Sequence, residues 1–456
     1  MTRVNPRHRP ATIATPKAPK GKPPAAAAPA NKSWGAKAVG SARPEATTGF
    51  DDPRASGASP GVEAKLKQIA QLMKGHTDRA DERQIIALFK GASASELNEL
   101  ILELPAHDFH ELVSDLDDRL IGPDNRTAFL SLLSKERLGE LSVDSRAKLI
   151  GVLQYHQTRS LDEKAVRDIF LGTKGADLSK LKKAIDHGGD HRDLQQLVFH
   201  DLDDSKIRGQ LLAHFKKEAA ASPSGQVKVL SDIDDTFYVN LKDDRYPKKT
   251  VYPGVKDFYA ELDKGGAAKA DDGGDLMFLS ARPYDRPGAV EHLTRGTLEK
   301  AGVNDPTVLS GDFAHLIGNQ QIADKKFENW AQVRQLHPEY GSVFVGDSGQ
   351  GDAIFGARAA TLPGTDMKKV FIHNVTGLDA SQRADFARNG VHIFDTYVGA
   401  ATEAYQSGLI TRDGLLRVAA GAQRELAQVP FGSSAQKAAR EQDLARDLDA
   451  MRAALQ

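Results

Sequence analysis

Apolar positions recur along this chain with two different periods, and the change falls near residue 226. Between 61 and 220 they return every third or fourth residue. Val62, Leu66, Ile69 and Met73 form one stripe, Ile85, Leu88 and Phe89 a second, and Leu97, Leu100, Ile101 and Leu104 a third. That spacing places side chains on one face of a helix, so the region is predicted to be all-helical. Beyond 226, short apolar runs replace the stripes: 227–230, 276–279, 343–345, 370–372 and 391–394. Runs of this length read as strands buried on both faces. Helical stretches separate most of them, for example Val255 to Leu262 and Phe327 to Leu336. The alternation predicts an α/β domain over 225–410, a parallel sheet with helices on both faces. From 411 to 456 the helical period returns. Leu444, Leu448, Met451 and Leu455 form a stripe suited to packing or to a dimer surface.

The helical region repeats itself. Asp81 to Gly91 parallels Asp162 to Gly172, and Leu97 and Leu100 match Leu178 and Leu181 in the same register. Asp115-Leu116-Asp117-Asp118 parallels Asp201-Leu202-Asp203-Asp204 after a shift of a few residues. Two similar helical units are therefore expected in 61–220. Ahead of them, residues 1–60 are rich in Pro, Ala, Gly, Ser and Lys. Few side chains there can offset the entropy of ordering, so a disordered tail is expected.

With 456 residues, 40% of them hydrophobic, two or three domains with sizeable cores are expected. The net charge of −1 points to no polyanionic partner, and no nucleic acid is expected. There is no cysteine, which removes disulfides, cysteine nucleophiles and thiolate zinc sites. No apolar run is long enough to cross a bilayer, and the basic N-terminus lacks the apolar segment of a standard signal peptide. A cytoplasmic or peripheral membrane location is expected, with bacterial export lacking such a signal as the alternative.

Candidate chemistry gathers at the ends of the expected strands. The run 227–230 leads into Ser231-Asp232-Ile233-Asp234-Asp235-Thr236. In extended backbone, residues two apart point the same way, so Asp232 and Asp234 can face one pocket as nucleophile and proton donor. The run 276–279 leads into Ser280-Ala281-Arg282-Pro283, where a hydroxyl and backbone amides can hold phosphate oxygens. Lys325 and Lys326 follow at an expected helix start, either able to neutralise a phosphoryl group. The run 343–345 leads into Gly346-Asp347-Ser348-Gly349-Gln350-Gly351-Asp352, whose carboxylates suit a hard divalent cation such as Mg²⁺.

In this order the pieces resemble the haloacid dehalogenase (HAD) superfamily of phosphohydrolases: DxDxT, then serine, lysine and GD-x4-D. Tyr252-Pro253-Gly254-Val255, Lys326-Phe327-Glu328 and Gly346 to Asp352 narrow the resemblance to the catalytic domain of actin-patch-type phosphatidate phosphatases, over about 225–410. Those relatives continue Pro-Glu after the last aspartate, where this chain has Ala353-Ile354. The resemblance implies a HAD-like Rossmannoid sheet, with Asp232 attacking phosphorus to form an aspartyl-phosphate. Asp234 then acts as acid and base, and Lys326 stabilises charge, with Lys325 as the alternative. Mg²⁺ is held by Asp232, Asp347 and the Asp234 carbonyl, assisted by Asp352. Thr236, Ser280 and Arg282 serve the substrate side, Thr236 by ordering the first loop. Asp235 is expected to face away and be structural.

About 40 residues separate Thr236 from Ser280, and about 45 separate Ser280 from Lys326. Scaffold elements use most of each, which leaves little for a large cap and predicts an open site. An open site suits phosphatidate in a bilayer, and equally a phosphoprotein or a nucleic-acid end; the preference for a phospholipid at a membrane surface comes from the resemblance. A third expectation is a secreted protein whose helical region binds a membrane or partner. The first helical unit also resembles an annexin repeat faintly, through Met73-Lys74-Gly75-His76-Thr77-Asp78 and the distal Asp115, which implies Ca²⁺ or membrane contact there.

Overall fold

Helix starts in the first region carry side chains that satisfy free backbone N–H groups. Proline opens α1 (Pro60–Leu72), where a missing N–H costs nothing. Asp78 caps α2 (Arg79–Gly91), accepting from the amides of Ala80 at 2.7 Å and Asp81 at 3.0 Å. Ser93 and Glu96 form a reciprocal box at α3 (Ala94–Glu103). Then come α4 (Ala106–Asp115), α5 (Asn125–Ser131), α6 (Val143–Leu153), α7 (Ser160–Gly172), α8 (Gly175–Asp186), the short α9 (Leu194–Gln196) and α10 (Ser205–Ala221). The computed structural model describes residues 58–75, 77–116, 124–155, 158–186, 192–223, 225–265, 276–283, 289–303, 306–311, 318–364 and 366–456. For 280–283, 289–291 and 310–311 it describes the backbone only. The expected disordered tail, 1–60, lies almost wholly outside these residues.

Matched positions of the two helical units occupy matched places. Phe89 and Phe170 are both buried, as are Leu97 and Leu178, and Leu100 and Leu181. Glu82 on α2 is buried and accepts from the side-chain amide of Asn125, the first residue of α5. Its counterpart Glu163 on α7 is buried and accepts from the backbone amides of Asp203 (2.7 Å) and Asp204 (3.3 Å), just ahead of α10. In each unit a buried glutamate ties an early helix to the start of a later one.

The second region forms a six-stranded parallel sheet. Its strands are β1 (Val227–Ser231), β2 (Leu276–Pro283), β3 (Thr307–Gly311), β4 (Gly341–Asp347), β5 (Met367–His373) and β6 (Val391–Phe394). Their spatial order is β3-β2-β1-β4-β5-β6, with parallel pairing throughout. Helices lie on both faces. Val229, Phe278, Val343, Val345 and Phe371 pack toward α11 (Val255–Lys264), α16 (Tyr397–Gln406), α17 (Arg412–Gln428) and α18 (Ser434–Ala454). Leu230, Met277, Leu279, Phe344 and Val370 pack toward α13 (Asn319–Leu336) and α14 (Asp352–Thr361). The alternation along each strand produces the two cores. Two further helices, α12 (Ala289–Lys300) and α15 (Ala380–Arg388), follow β2 and β5.

Two details differ from the sequence expectations, and one agrees with them. Strand β3 was not among the expected runs. It sits at a sheet edge and carries only Val308 and Leu309 as large apolar residues. The stripe on α18 is packing surface: Leu444, Leu448 and Met451 are buried in the same core as α11, and Leu455 packs against it. The boundary placed at 410 therefore cuts through one core. The described residues fall in one compact unit, and the helical region meets the sheet region through α8 and the end of α13. Among the described residues no helix is long and apolar enough to cross a membrane.

Candidate active site

In this strand order the chain leaves β1 toward one side of the sheet, and β4 starts the other side. Loops after β1 and β4 diverge and open a crevice at the strands' C-terminal ends. Asp232 follows β1 directly, its amide donating to the Val345 carbonyl at 2.9 Å. Asp347 is the last residue of β4 and Asp352 the first of α14. Glycine at 346 permits the close return of Asp352: a Cβ there would lie 2.5 Å from Asp352 Oδ2. That oxygen accepts from the Asp347 amide at 3.1 Å.

Lys326 reaches this crevice from within α13, more than a turn inside the helix and not at its start. Its ammonium donates to Asp232 Oδ1 at 2.6 Å and to Asp352 Oδ1 at 2.5 Å. Neighbouring Lys325 pairs instead with Glu328 at 2.8 Å and is partly exposed. Successive helix residues point about 100° apart, so only one of the pair can face the site. The choice between the lysines falls to Lys326.

Asp232, Asp347 and Asp352 are buried, and each offers an oxygen within 4.8 Å of the others'. Three buried carboxylates with one ammonium leave negative charge unbalanced. Burial pushes the Asp232 carboxyl up to about 8, against the pull of Lys326 and with Asp352 adding to the rise. Burial, then the charges of Asp352 and Asp232, push Asp347 well above the carboxylate range. Burial opposes the charge on Lys326, yet Asp232 and Asp352 hold its pKa above the usual lysine range. Asp232 Oδ2 is buried with no hydrogen-bond partner. The Gln350 side-chain amide stands 3.4 Å from the Asp234 carbonyl and 3.5 Å from Asp347 Oδ2, so these two acceptors converge. An all-oxygen set with surplus negative charge fits a hard divalent cation.

The first loop departs from an extended strand. Asp235 takes a left-handed backbone, φ 59°, and its buried carboxylate accepts from the amides of Asn240, Leu241 and Lys242. It faces away from the crevice, as expected of a structural residue. Asp234 is half-buried, and its Oδ1 accepts from the Asn240 side-chain amide at 2.8 Å. Thr236 orders the loop from beneath: its carbonyl accepts from the Tyr397 hydroxyl at 2.6 Å. Its hydroxyl is fully buried without a hydrogen-bond partner, which corrects its placement on the substrate side. Ser280 and Arg282 lie on β2, and their side chains fall outside the described residues. His76 of the expected calcium loop also falls outside them, and Asp78 serves as the cap of α2.

Sequence reading missed the supports beneath this loop. Arg245 pairs with buried Asp243 through two nitrogens, at 2.9 and 2.8 Å, and Tyr252 donates to the same carboxylate at 2.8 Å. Arg245 also reaches His373 Nε2 at 3.0 Å, and His373 Nδ1 meets the Asp235 carbonyl at 3.3 Å. Tyr252 belongs to the quoted Tyr-Pro-Gly-Val motif, which was the one available signal.

No family model matches the chain, and no curated protein matches it. Among solved structures, a mutant O-GlcNAc transferase from Thermobaculum terrenum is 8% identical over 86% of this chain and 93% of that chain, with a TM-score of 0.16. Likeness at that level carries no argument about fold or chemistry.

Proposed function

We propose that the α/β region is a Mg²⁺-dependent phosphomonoester hydrolase of the haloacid dehalogenase type that works through an aspartyl-phosphate on Asp232. One observation carries this reading. The Asp232 carboxylate is held at one oxygen by Lys326, has its other oxygen without a hydrogen-bond partner, and lies beside Asp347 and Asp352. A carboxylate fixed at one end and uncommitted at the other is arranged to attack.

The steps follow from these positions. Asp232 attacks phosphorus in line with the departing alcohol, whose P–O bond breaks. Asp234 gives that oxygen a proton, then takes one from the water that hydrolyses the acyl phosphate. Lys326 keeps Asp232 oriented and balances charge on the phosphoryl oxygens. Asp232, Asp347 and the Asp234 carbonyl, with Asp352 beside them, would hold Mg²⁺, which would supply positive charge where two anions must meet. Thr236 and Asp235 hold the loop that carries Asp234.

The proposed substrate is phosphatidate, cleaved to diacylglycerol and phosphate. Support comes from the motif resemblance and from the insert segments. Helix α11 lies in the first, and α12 with β3 in the second, and these elements are scaffold of the sheet. Incubation with phosphatidate in mixed micelles and Mg²⁺ should release phosphate, and Asp232→Asn or excess EDTA should reduce release to background. Turnover of a phosphopeptide but not phosphatidate would move the substrate assignment to phosphoproteins. No turnover of any phosphomonoester would remove the phosphatase reading.

A further inference from the structure

We propose that Asn240 is a positioning residue for Asp234, fixed in one amide orientation by Lys249. The inference rests on the reading of Asp234 as the proton donor to the leaving alcohol. Asn240 donates its side-chain N–H to Asp234 Oδ1 at 2.8 Å. Its side-chain carbonyl accepts from the Lys249 ammonium at 2.7 Å, and its backbone amide donates to Asp235 Oδ1 at 2.7 Å. An asparagine amide can be turned end for end without changing its shape. Here a turn would set oxygen against the Asp234 carboxylate and N–H against an ammonium, so one orientation holds. The Asn240 bond thereby fixes Oδ1 of the Asp234 carboxylate, and with it the plane of the group.

Lys249 is itself held. Its ammonium lies 4.9 Å from the centre of the Tyr238 ring, a cation–π distance. Its amide donates to the Val239 carbonyl at 2.8 Å, and the Val239 amide donates to the Thr250 carbonyl at 2.9 Å. A short hairpin, closed by the Tyr238–Val251 bridge, thus carries Lys249 back over the loop. Among the described residues two non-glycine residues have positive φ, Asp235 at 59° and Lys249 at 67°. Both of these strained residues hydrogen-bond to Asn240. Backbone strain persists where surrounding structure enforces it, and it concentrates at working sites.

A well-placed acid matters most when the departing group cannot leave as an anion. An alkyl alcohol needs the proton; a nitrophenolate does not. The test therefore compares kcat/KM, which ends at alcohol release, for an alkyl phosphate and for p-nitrophenyl phosphate. For Asn240→Ala the alkyl phosphate value should fall about 100-fold, the scale of general acid catalysis, while the nitrophenyl value changes by less than ~5-fold. Lys249→Met leaves the asparagine in place and should show the same selectivity at smaller size, about 10-fold on the alkyl phosphate. Equal losses on both substrates, or no loss on either, overturn the inference. A wild type without turnover of either phosphate instead overturns the phosphatase reading on which it rests.

Discussion

His373 sits with one ring nitrogen against the Arg245 guanidinium and the other against the Asp235 carbonyl. The guanidinium can only donate, so the facing nitrogen must accept and the ring stays neutral. Burial, then the positive charge of Arg245, hold its pKa down to about 3 from 6.5. The unfolded chain takes up that proton near pH 6.5 and the folded chain does not. Stability therefore falls as pH drops from 6.5 toward 3, by about 2 kcal/mol between pH 7 and pH 5 for this group. Denaturant unfolding at those two pH values should show a smaller loss in His373→Gln than in the wild type; equal losses would assign the acid sensitivity elsewhere. Residue identity was legible where spacing mattered, as in Asp232, Asp347 and Asp352. It was not legible for Asn240 or His373. These are lone polar residues outside any motif: Asn240 takes its role from the side chains of Asp234 and Lys249, and His373 from Arg245 and the Asp235 carbonyl.

At the scale of elements, α14 shows how a short helix places a carboxylate of the candidate site. It starts at Asp352, behind Gly351 with φ 88°. A Cβ on Gly351 would lie 2.3 Å from the Asn319 carbonyl at the start of α13, so side chains are excluded twice, by backbone conformation and by contact. Gly364 has φ 73° but open space around it. Gly364→Ala should cost only the left-handed backbone, on the order of 1 kcal/mol. Gly351→Ala should cost about 3 kcal/mol and also lower the proposed phosphatase turnover, since shifting α14 moves Asp352 away from Lys326. Urea midpoints of the two variants at unchanged m would check the difference. Helices α11 and α13 were visible in advance from their periodicity, as were five of the strands. Strand β3 was not, because an edge strand with two large apolar residues carries too little pattern to stand out.

Across the whole molecule, the helical region is joined to the sheet by buried charge. Lys182 on α8 donates to the Leu336 carbonyl and to Glu339 Oε2, both at 2.8 Å, and Ser179 donates to Glu339 Oε1 at 3.1 Å. His337 lies 3.0 Å from Asp186, and the Thr307 hydroxyl reaches the Asp186 carbonyl at 3.3 Å. Removing one member of a buried pair strands the other charge. Lys182→Met should cost about 3–5 kcal/mol, and adding Glu339→Gln should recover part of it. Thermal unfolding that is unchanged in Lys182→Met would show that the junction contributes little. The helix that ends at this junction is α13, which also carries Lys326. The order of the chain's residues was enough for the α/β class, the helical region before it and the acids at the ends of β1 and β4. Those follow from local period and from short spacings, which act over a few residues. Tertiary structure alone decided that Lys326 and not Lys325 enters the site, that Thr236 lies beneath the loop, and that α18 belongs to the sheet's core. Each depends on which distant backbone a side chain meets, and such encounters are set by the packing of whole helices and strands.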